Sequence, residues 1–231
     1  MPIGVLINNT CVALGGIIGA VLGKKMPKHL SGTLNELMGF LALGIAATLL
    51  VKVHTLGAVV LSVILGTTVG TLLRMDEGVN RFFAGVNRRL FKSESDAEFM
   101  SQFTTLLVLC CASGTGIFGS LTEGMTGDRT IIICKAILDF FTVLIFAANI
   151  GKFCAIIAIP QCVVFMLMFF LARFISPIMT DVLKADFTAV GGVIELMIGF
   201  RILKISKIKP FDALPSMILV FPISYLWNLL F

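Results

Sequence analysis

The sequence predicts an all-α fold, a polytopic transmembrane helical bundle of about seven to eight spans. Apolar residues make up 58% of the 231 and charged residues only 13%, with a mean hydropathy of +1.03, far from the balance of a water-soluble domain. Most of the chain lies in apolar stretches close to the roughly 20 residues that a helix needs to cross a hydrocarbon core of about 30 Å. The basic residues gather in the breaks between those stretches, on alternate sides. No break is long or polar enough to hold a second folded unit, so residues 1–231 read as a single integral membrane domain.

The first span covers 3–23. Its leading residues, Met1-Pro2-Ile3-Gly4-Val5-Leu6, lack the positive segment of a cleaved signal peptide, so this run is expected to remain as a span. Asn8 and Asn9 are followed by Gly15, Gly16, Gly19 and Gly23, which together make a small-residue face with polar groups to satisfy. Such groups commonly hydrogen-bond across helices; the functional alternative is coordination of a substrate through their side-chain carbonyls.

The second and third spans fall near 34–51 and 56–74. In the long connection after them, Val79, Phe82, Phe83, Val86 and Leu90 recur at helical spacing, opposite Arg81, Arg88, Arg89 and Lys92. This predicts an amphipathic segment near 78–92 lying on anionic headgroups, the alternative being a charged loop whose aromatics dock on the bundle.

The fourth and fifth spans, near 101–121 and 130–150, meet at a glycine-rich junction, Ala112-Ser113-Gly114-Thr115-Gly116-Ile117-Phe118-Gly119-Ser120-Leu121-Thr122-Glu123-Gly124-Met125-Thr126-Gly127-Asp128-Arg129. Glycine at this density is hard to reconcile with a straight helix and predicts a broken helix or a re-entrant hairpin. Irregular chain at membrane depth is tolerated only where it is buried in protein or lines a wet cavity. Exposed backbone around Gly114, Gly116 and Gly119 would then bind a ligand, with Glu123, Thr126 and Asp128 as a polar mouth. Close helix packing is the simpler account of Gly116, Gly119 and Ser120.

Lys135 and Asp139 follow within the fifth span, one helical turn apart. A charge at the centre of a membrane helix costs roughly 2.5–3.5 kcal/mol on insertion scales. Their i,i+4 spacing lets them neutralise each other, either as a structural ion pair or as a site that trades partners with a substrate ion or a proton.

The last spans are expected near 153–173, 187–204 and 210–230. Glu195 and Arg201 interrupt the seventh; Arg201 can snorkel toward the surface beside Lys204, whereas Glu195 cannot. Gly39-Phe40-Leu41-Ala42-Leu43-Gly44-Ile45 loosely echoes Ile194-Glu195-Leu196-Met197-Ile198-Gly199-Phe200, which would make spans one to three and six to eight an inverted repeat, the architecture of many secondary transporters, unless the likeness is chance.

With the N-terminus outside, alternating spans put Lys24, Lys25, Lys28, Arg74, Arg81, Arg88, Arg89, Lys92, Lys152, Lys204, Lys207 and Lys209 on the cytoplasmic side and only Lys52, Arg129, Arg173 and Lys184 opposite. A miscounted helix in mid-chain would scramble this bias. Both termini are therefore expected on the non-cytoplasmic side.

The net charge of +5 is a topology signal, and no nucleic-acid partner is expected. Cys11, Cys110, Cys111, Cys134, Cys154 and Cys162 lie in or beside apolar runs and read as small hydrophobes. Without a CxxC pair, and with His29 and His54 in separate breaks, no metal site and no cofactor is expected. HExxH, GxSxG and a glycine loop ending in GK[ST] are absent, which argues against an enzyme. A carboxylate-based lipid-modifying enzyme using Glu123, Asp128 and Asp139 is the enzymatic alternative.

Gly4-Val5-Leu6-Ile7-Asn8-Asn9 with its glycine-rich span, the Gly-Met-Thr-Gly-Asp junction, Lys135-Ala136-Ile137-Leu138-Asp139, Ala189-Val190-Gly191-Gly192 and Ile198-Gly199 resemble the YqgA/YdfK-like family of bacterial inner-membrane proteins, grouped under a domain of unknown function. The resemblance covers nearly the whole chain. It implies a multi-spanning protein of the bacterial cytoplasmic membrane, sometimes described as a transporter, with no substrate assigned. Glu195 and the cysteines are not part of that family pattern.

The expected function is a small secondary transporter or permease for an ion or small polar solute, with the lipid bilayer and that solute as its partners. The site would be Lys135 and Asp139 with Glu123, Asp128, Thr126, Asn8, Asn9 and Glu195, beside the backbone of Gly114, Gly116 and Gly119. A non-transporting scaffold or accessory subunit is the alternative. So thin a bundle would be consistent with a homodimer, though no motif demands one.

Overall fold

The computed structural model describes residues 1–23, 27–90, 97–111 and 113–230. Lys24, Lys25 and Lys92 of the charge pattern lie outside those residues, as do the side chains of Lys28, Val86, Arg88, Arg89 and Leu90. Ten α-helices occur among the described residues: α1 (Ile3–Leu22), α2 (Lys28–Leu50), α3 (Leu56–Leu72), α4 (Met75–Leu90), α5 (Ala97–Cys111), α6 (Gly114–Thr126), α7 (Thr130–Ile150), α8 (Ala158–Ile175), α9 (Asp181–Ile202) and α10 (Ser216–Leu230). No strand occurs among them. A helix satisfies its own backbone within one segment, which hydrocarbon demands of any lipid-exposed chain.

Six helical stretches are long and apolar enough to cross a membrane, and a seventh results if the bent pair of α3 and the start of α4 counts as one span. The chain is thus an all-α membrane bundle. α9, though 22 residues long, falls outside that count because Asp181, Lys184, Asp186, Glu195 and Arg201 lie along it. Large apolar side chains such as Ile64, Leu167, Ile218 and Leu229 are exposed on the helices, as a lipid-facing surface requires.

Three boundaries differ from the hydropathy reading. α9 begins at Asp181 rather than 187, because the Thr180 side chain accepts the Leu183 amide at 3.2 Å and starts a polar first turn that hydropathy does not register. α2 begins at Lys28, ahead of its apolar run. The fourth span is broken where Ser113 adopts an extended conformation, and helix resumes through the glycine-rich stretch to Thr126. Gly127, at φ 78°, ends α6 in the left-handed region that glycine enters without steric cost.

The helices gather into two compact units, each discontinuous in sequence: Met1–Asn35 with Val79–Phe174, and Glu36–Gly78 with Ile175–Phe231. This division cuts across the suggested repeat, since α1 belongs with α5–α8 while most of α2 and all of α3 belong with α9 and α10.

In the first unit α1 and α7 run side by side in the same direction, with Gly4 against Ile132, Gly15 against Phe140 and Gly19 against Leu144. A Cβ on Gly15 or Gly19 would strike a backbone carbonyl of α7, so these positions admit only glycine at this separation. Lipid tails solvate apolar side chains as well as protein does, so close backbone approach and interhelical hydrogen bonds replace the hydrophobic effect as the source of association. Val5, Ile132, Phe165 and Phe169 form the apolar core where α1, α7 and α8 meet.

In the second unit α3 and α10 are antiparallel, with Gly57 against Trp227 and Gly66 against Ser216; Gly70 lies against Asp212 in the 3₁₀ turn Pro210–Ala213 that precedes α10. α2 and α9 also pack antiparallel: Gly39 faces Leu203, and Gly199 faces Leu43. The two segments whose sequences echo each other are therefore direct neighbours.

Candidate functional site

The polar groups of the first unit converge on Asp139. Asn8 and Asp139 lie on the facing surfaces of α1 and α7, where the glycines of α1 let the two backbones approach closely. Gln161, near the start of α8, completes the cluster. Lys135 is ion-paired with Asp139 Oδ1. Asn8 Nδ2 donates to Asp139 Oδ2 at 3.1 Å, and Gln161 Nε2 donates to the same oxygen at 2.8 Å and to Asn8 Oδ1 at 2.7 Å. All four side chains are buried, Asn8 and Gln161 completely and Lys135, the most accessible, to 6% exposure.

One carboxylate thus receives an ammonium and two amides from three helices. The pairing offsets the cost of bringing either charge into low dielectric, and removing one partner strands the other, a loss of about 3–5 kcal/mol in buried pairs. Cys110 and Cys111 on α5 lie within electrostatic reach of both charges, and Cys11 on α1 within reach of Asp139. Two buried oxygens, Gln161 Oε1 and Asn9 Oδ1, have no hydrogen-bond partner. An acceptor left in that state costs about 1–3 kcal/mol, so each marks a place where a donor or a cation would be stabilised.

The other sequence candidates sit elsewhere. Glu123, buried on α6, accepts the backbone amides of Gly4 at 2.7 Å and Val5 at 3.1 Å and pairs with Arg129 at 3.2 Å. Pro2 gives α1 no side-chain cap, so Glu123 serves as one from another helix and complements the positive end of α1. Asp128 Oδ1 accepts the Thr130 amide at 2.9 Å and its hydroxyl at 2.7 Å, while Thr126 Oγ1 accepts the Asp128 amide at 3.1 Å. These contacts fix an exposed turn between α6 and α7.

Gly114, Gly116 and Gly119 are helical. A Cβ on Gly116 would strike the Phe165 ring, and one on Gly119 would come within 3.0 Å of the Ile132 amide nitrogen, so both glycines serve packing. Glu195 is buried in α9, in the second unit.

The sequence reading missed Gln161. Its signal was a single amide in the apolar run Ile156-Ile157-Ala158-Ile159-Pro160-Gln161-Cys162-Val163-Val164, which hydropathy averages away. It also missed two buried carboxylates of the second unit that repeat the role of Glu123. Asp186 accepts the amides of His54 at 3.1 Å and Thr55 at 2.6 Å at the start of α3, and the Ser224 hydroxyl at 2.6 Å. Asp212 accepts the Asp76 amide at 2.9 Å at the start of α4, where Arg201 reaches Asp76 at 3.4 Å. Both have structural work at helix ends.

Among known proteins, the chain is 38% identical over 231 residues to "Uncharacterized protein YqgA" of Escherichia coli (strain K12), covering 99% of this chain and 98% of that protein. It is 26% identical over 228 residues to "Uncharacterized membrane protein YdfK" of Bacillus subtilis (strain 168), covering 94% and 93%. No solved structure matches it. A family model matches residues 3–225, and the chain therefore belongs to the family described as "Protein of unknown function (DUF554)".

Proposed function

We propose that this multi-pass membrane protein is a small secondary transporter or permease, and that the ion or polar solute it carries is bound at the Asn8–Lys135–Asp139–Gln161 cluster. The observation that supports this is the convergence of three helices on one buried, charge-paired carboxylate beside an unpaired amide oxygen. A pair needed only for packing would be cheaper as apolar side chains of similar volume. Counted with α9 as a span, the lysine and arginine bias supports a plasma-membrane orientation with both termini outside.

The test is a thermal-shift screen of purified protein against inorganic ions, amino acids and small organic acids, repeated on Asp139→Asn. A ligand that stabilises wild type by mass action but not the variant supports the reading and selects the substrate for flux assays in proteoliposomes.

A scaffold role is favoured by the fact that the pair is closed within one helix. The charge swap Lys135→Asp with Asp139→Lys separates the two. A scaffold tolerates it, whereas a permease folds with the swapped pair and loses flux.

A further inference from the structure

We infer that the cluster is a cation–proton exchange site, at which an alkali cation binds Asp139 by displacing Lys135 and so releases the lysine's proton. The inference rests on the permease reading and names its ligand class. The candidate oxygens belong to one cluster: both carboxylate oxygens of Asp139, Asn8 Oδ1, which lies 2.7 Å from the Gln161 amide nitrogen, and Gln161 Oε1 on that same amide. Carboxylate and amide oxygens are hard donors that suit hard cations. Gln161 spends its nitrogen on Asp139 and Asn8, and its completely buried oxygen accepts nothing. Turning the Gln161 amide over as a cation takes the carboxylate would bring Oε1 to the place Nε2 now holds, 2.8 Å from Asp139 Oδ2, and give that oxygen a partner.

Charge selects the valence. The closed pair sums to zero, and a buried site holds zero at least cost. If a cation takes the place of the ammonium, an ammonium left beside it adds a buried positive charge, while loss of one proton as Lys135 becomes a neutral amine restores zero. One cation enters, one proton leaves to solvent, Asp139 stays ionised throughout, and no covalent bond changes besides the N–H. A divalent ion would leave one charge in excess, and an anion would meet the carboxylate. Lysine is suited to the exchange because burial readily shifts its protonation.

Ionisable side chains also lie on the elements that pack around the pair. They are Cys11 on α1, Cys110 and Cys111 on α5, Cys134 on α7, Cys154 in the 3₁₀ turn Lys152–Ile157, Cys162 on α8, and Glu123 on α6, which is paired with Arg129. Lys135→Arg keeps the charge paired with Asp139 but has no proton to give up, and it leaves all of these in place, so it separates the lysine's proton from theirs.

The experiment is titration of weakly buffered, purified protein with NaCl, LiCl or KCl against choline chloride at constant ionic strength, reading melting temperature and a pH dye together. The expected result for wild type is stabilisation by at least one alkali cation, release of about one proton per cation bound, and an apparent Kd that falls roughly tenfold per pH unit as pH rises while the lysine is protonated. Lys135→Arg, whose guanidinium stays charged beside Asp139, should bind the same cation at least tenfold more weakly, with little pH dependence and no proton release. Gln161→Met should bind it about tenfold more weakly, and Asp139→Asn should not respond.

Absence of alkali-cation stabilisation in wild type overturns the inference, as does cation-linked proton release that persists in Lys135→Arg. If no cation binds but a polar solute still stabilises the protein in an Asp139-dependent way, the exchange fails and the permease reading stands. If neither binds, both fall. The wild-type measurements decide the matter even where a variant does not fold.

Discussion

Glu123 on α6 accepts the backbone amide of Gly4 on α1 at 2.7 Å, across 119 residues of chain. Asp186 does the same for the start of α3 and Asp212 for the start of α4, so three helices begin beneath a carboxylate lent by another element. In water such helix ends would be hydrated. In a bilayer protein the orphan amides must find a partner in the protein, and a carboxylate also meets the positive end of the helix dipole.

Glu123→Ala should therefore lower stability by about 1–3 kcal/mol, the cost of stranding buried donors, and Glu123→Gln by less, since its amide oxygen still accepts. Hydrogen exchange at Gly4 and Val5 should speed up in Glu123→Ala while exchange in α10 stays unchanged. Equal acceleration in both helices would show that the contact is not local.

In the second unit, Ser224→Ala removes one of three donors to Asp186 and should cost about 1 kcal/mol, whereas Asp186→Ala strands the His54 and Thr55 amides and should cost more. Melting temperatures of the two variants in one detergent give the order. A Ser224→Ala loss as large as that of Asp186→Ala would contradict it.

Glycine positions should divide sharply. Gly19→Leu forces a side chain into the α7 backbone, and overpacking of this kind costs about 1–3 kcal/mol or prevents assembly. Gly44 in α2 has open space where a Cβ would stand, so Gly44→Ala should be neutral or stabilise by up to about 1 kcal/mol. Thermal stability in matched detergent reads both, and a destabilised Gly44→Ala would refute the contact geometry.

The cysteines should divide in the same way. Cys110, Cys111 and Cys154 are completely buried, while Cys11, Cys134 and Cys162 are only partly so. Maleimide labelling of native protein should modify members of the second group first and reach the first group only on unfolding. Rapid labelling of Cys110 in the native state would contradict the packing of α5.

Composition and hydropathy by themselves determined that the chain is a bundle of membrane helices, where most of those helices lie, and that Lys135 and Asp139 pair, because these depend on local quantities: apolar length against bilayer thickness and an i,i+4 spacing within one helix. Only the tertiary structure decided which polar residues meet. Asn8 and Gln161 lie 153 residues apart and are joined because α1, α7 and α8 pack together, and nothing in their flanking residues encodes that. The same packing sets the Glu123 carboxylate on the first amides of α1 and brings Gly116 and Gly119 against Phe165 and Ile132. The physical reason is that a buried polar group is defined by the partner that satisfies it, and in this chain that partner is usually supplied by another helix.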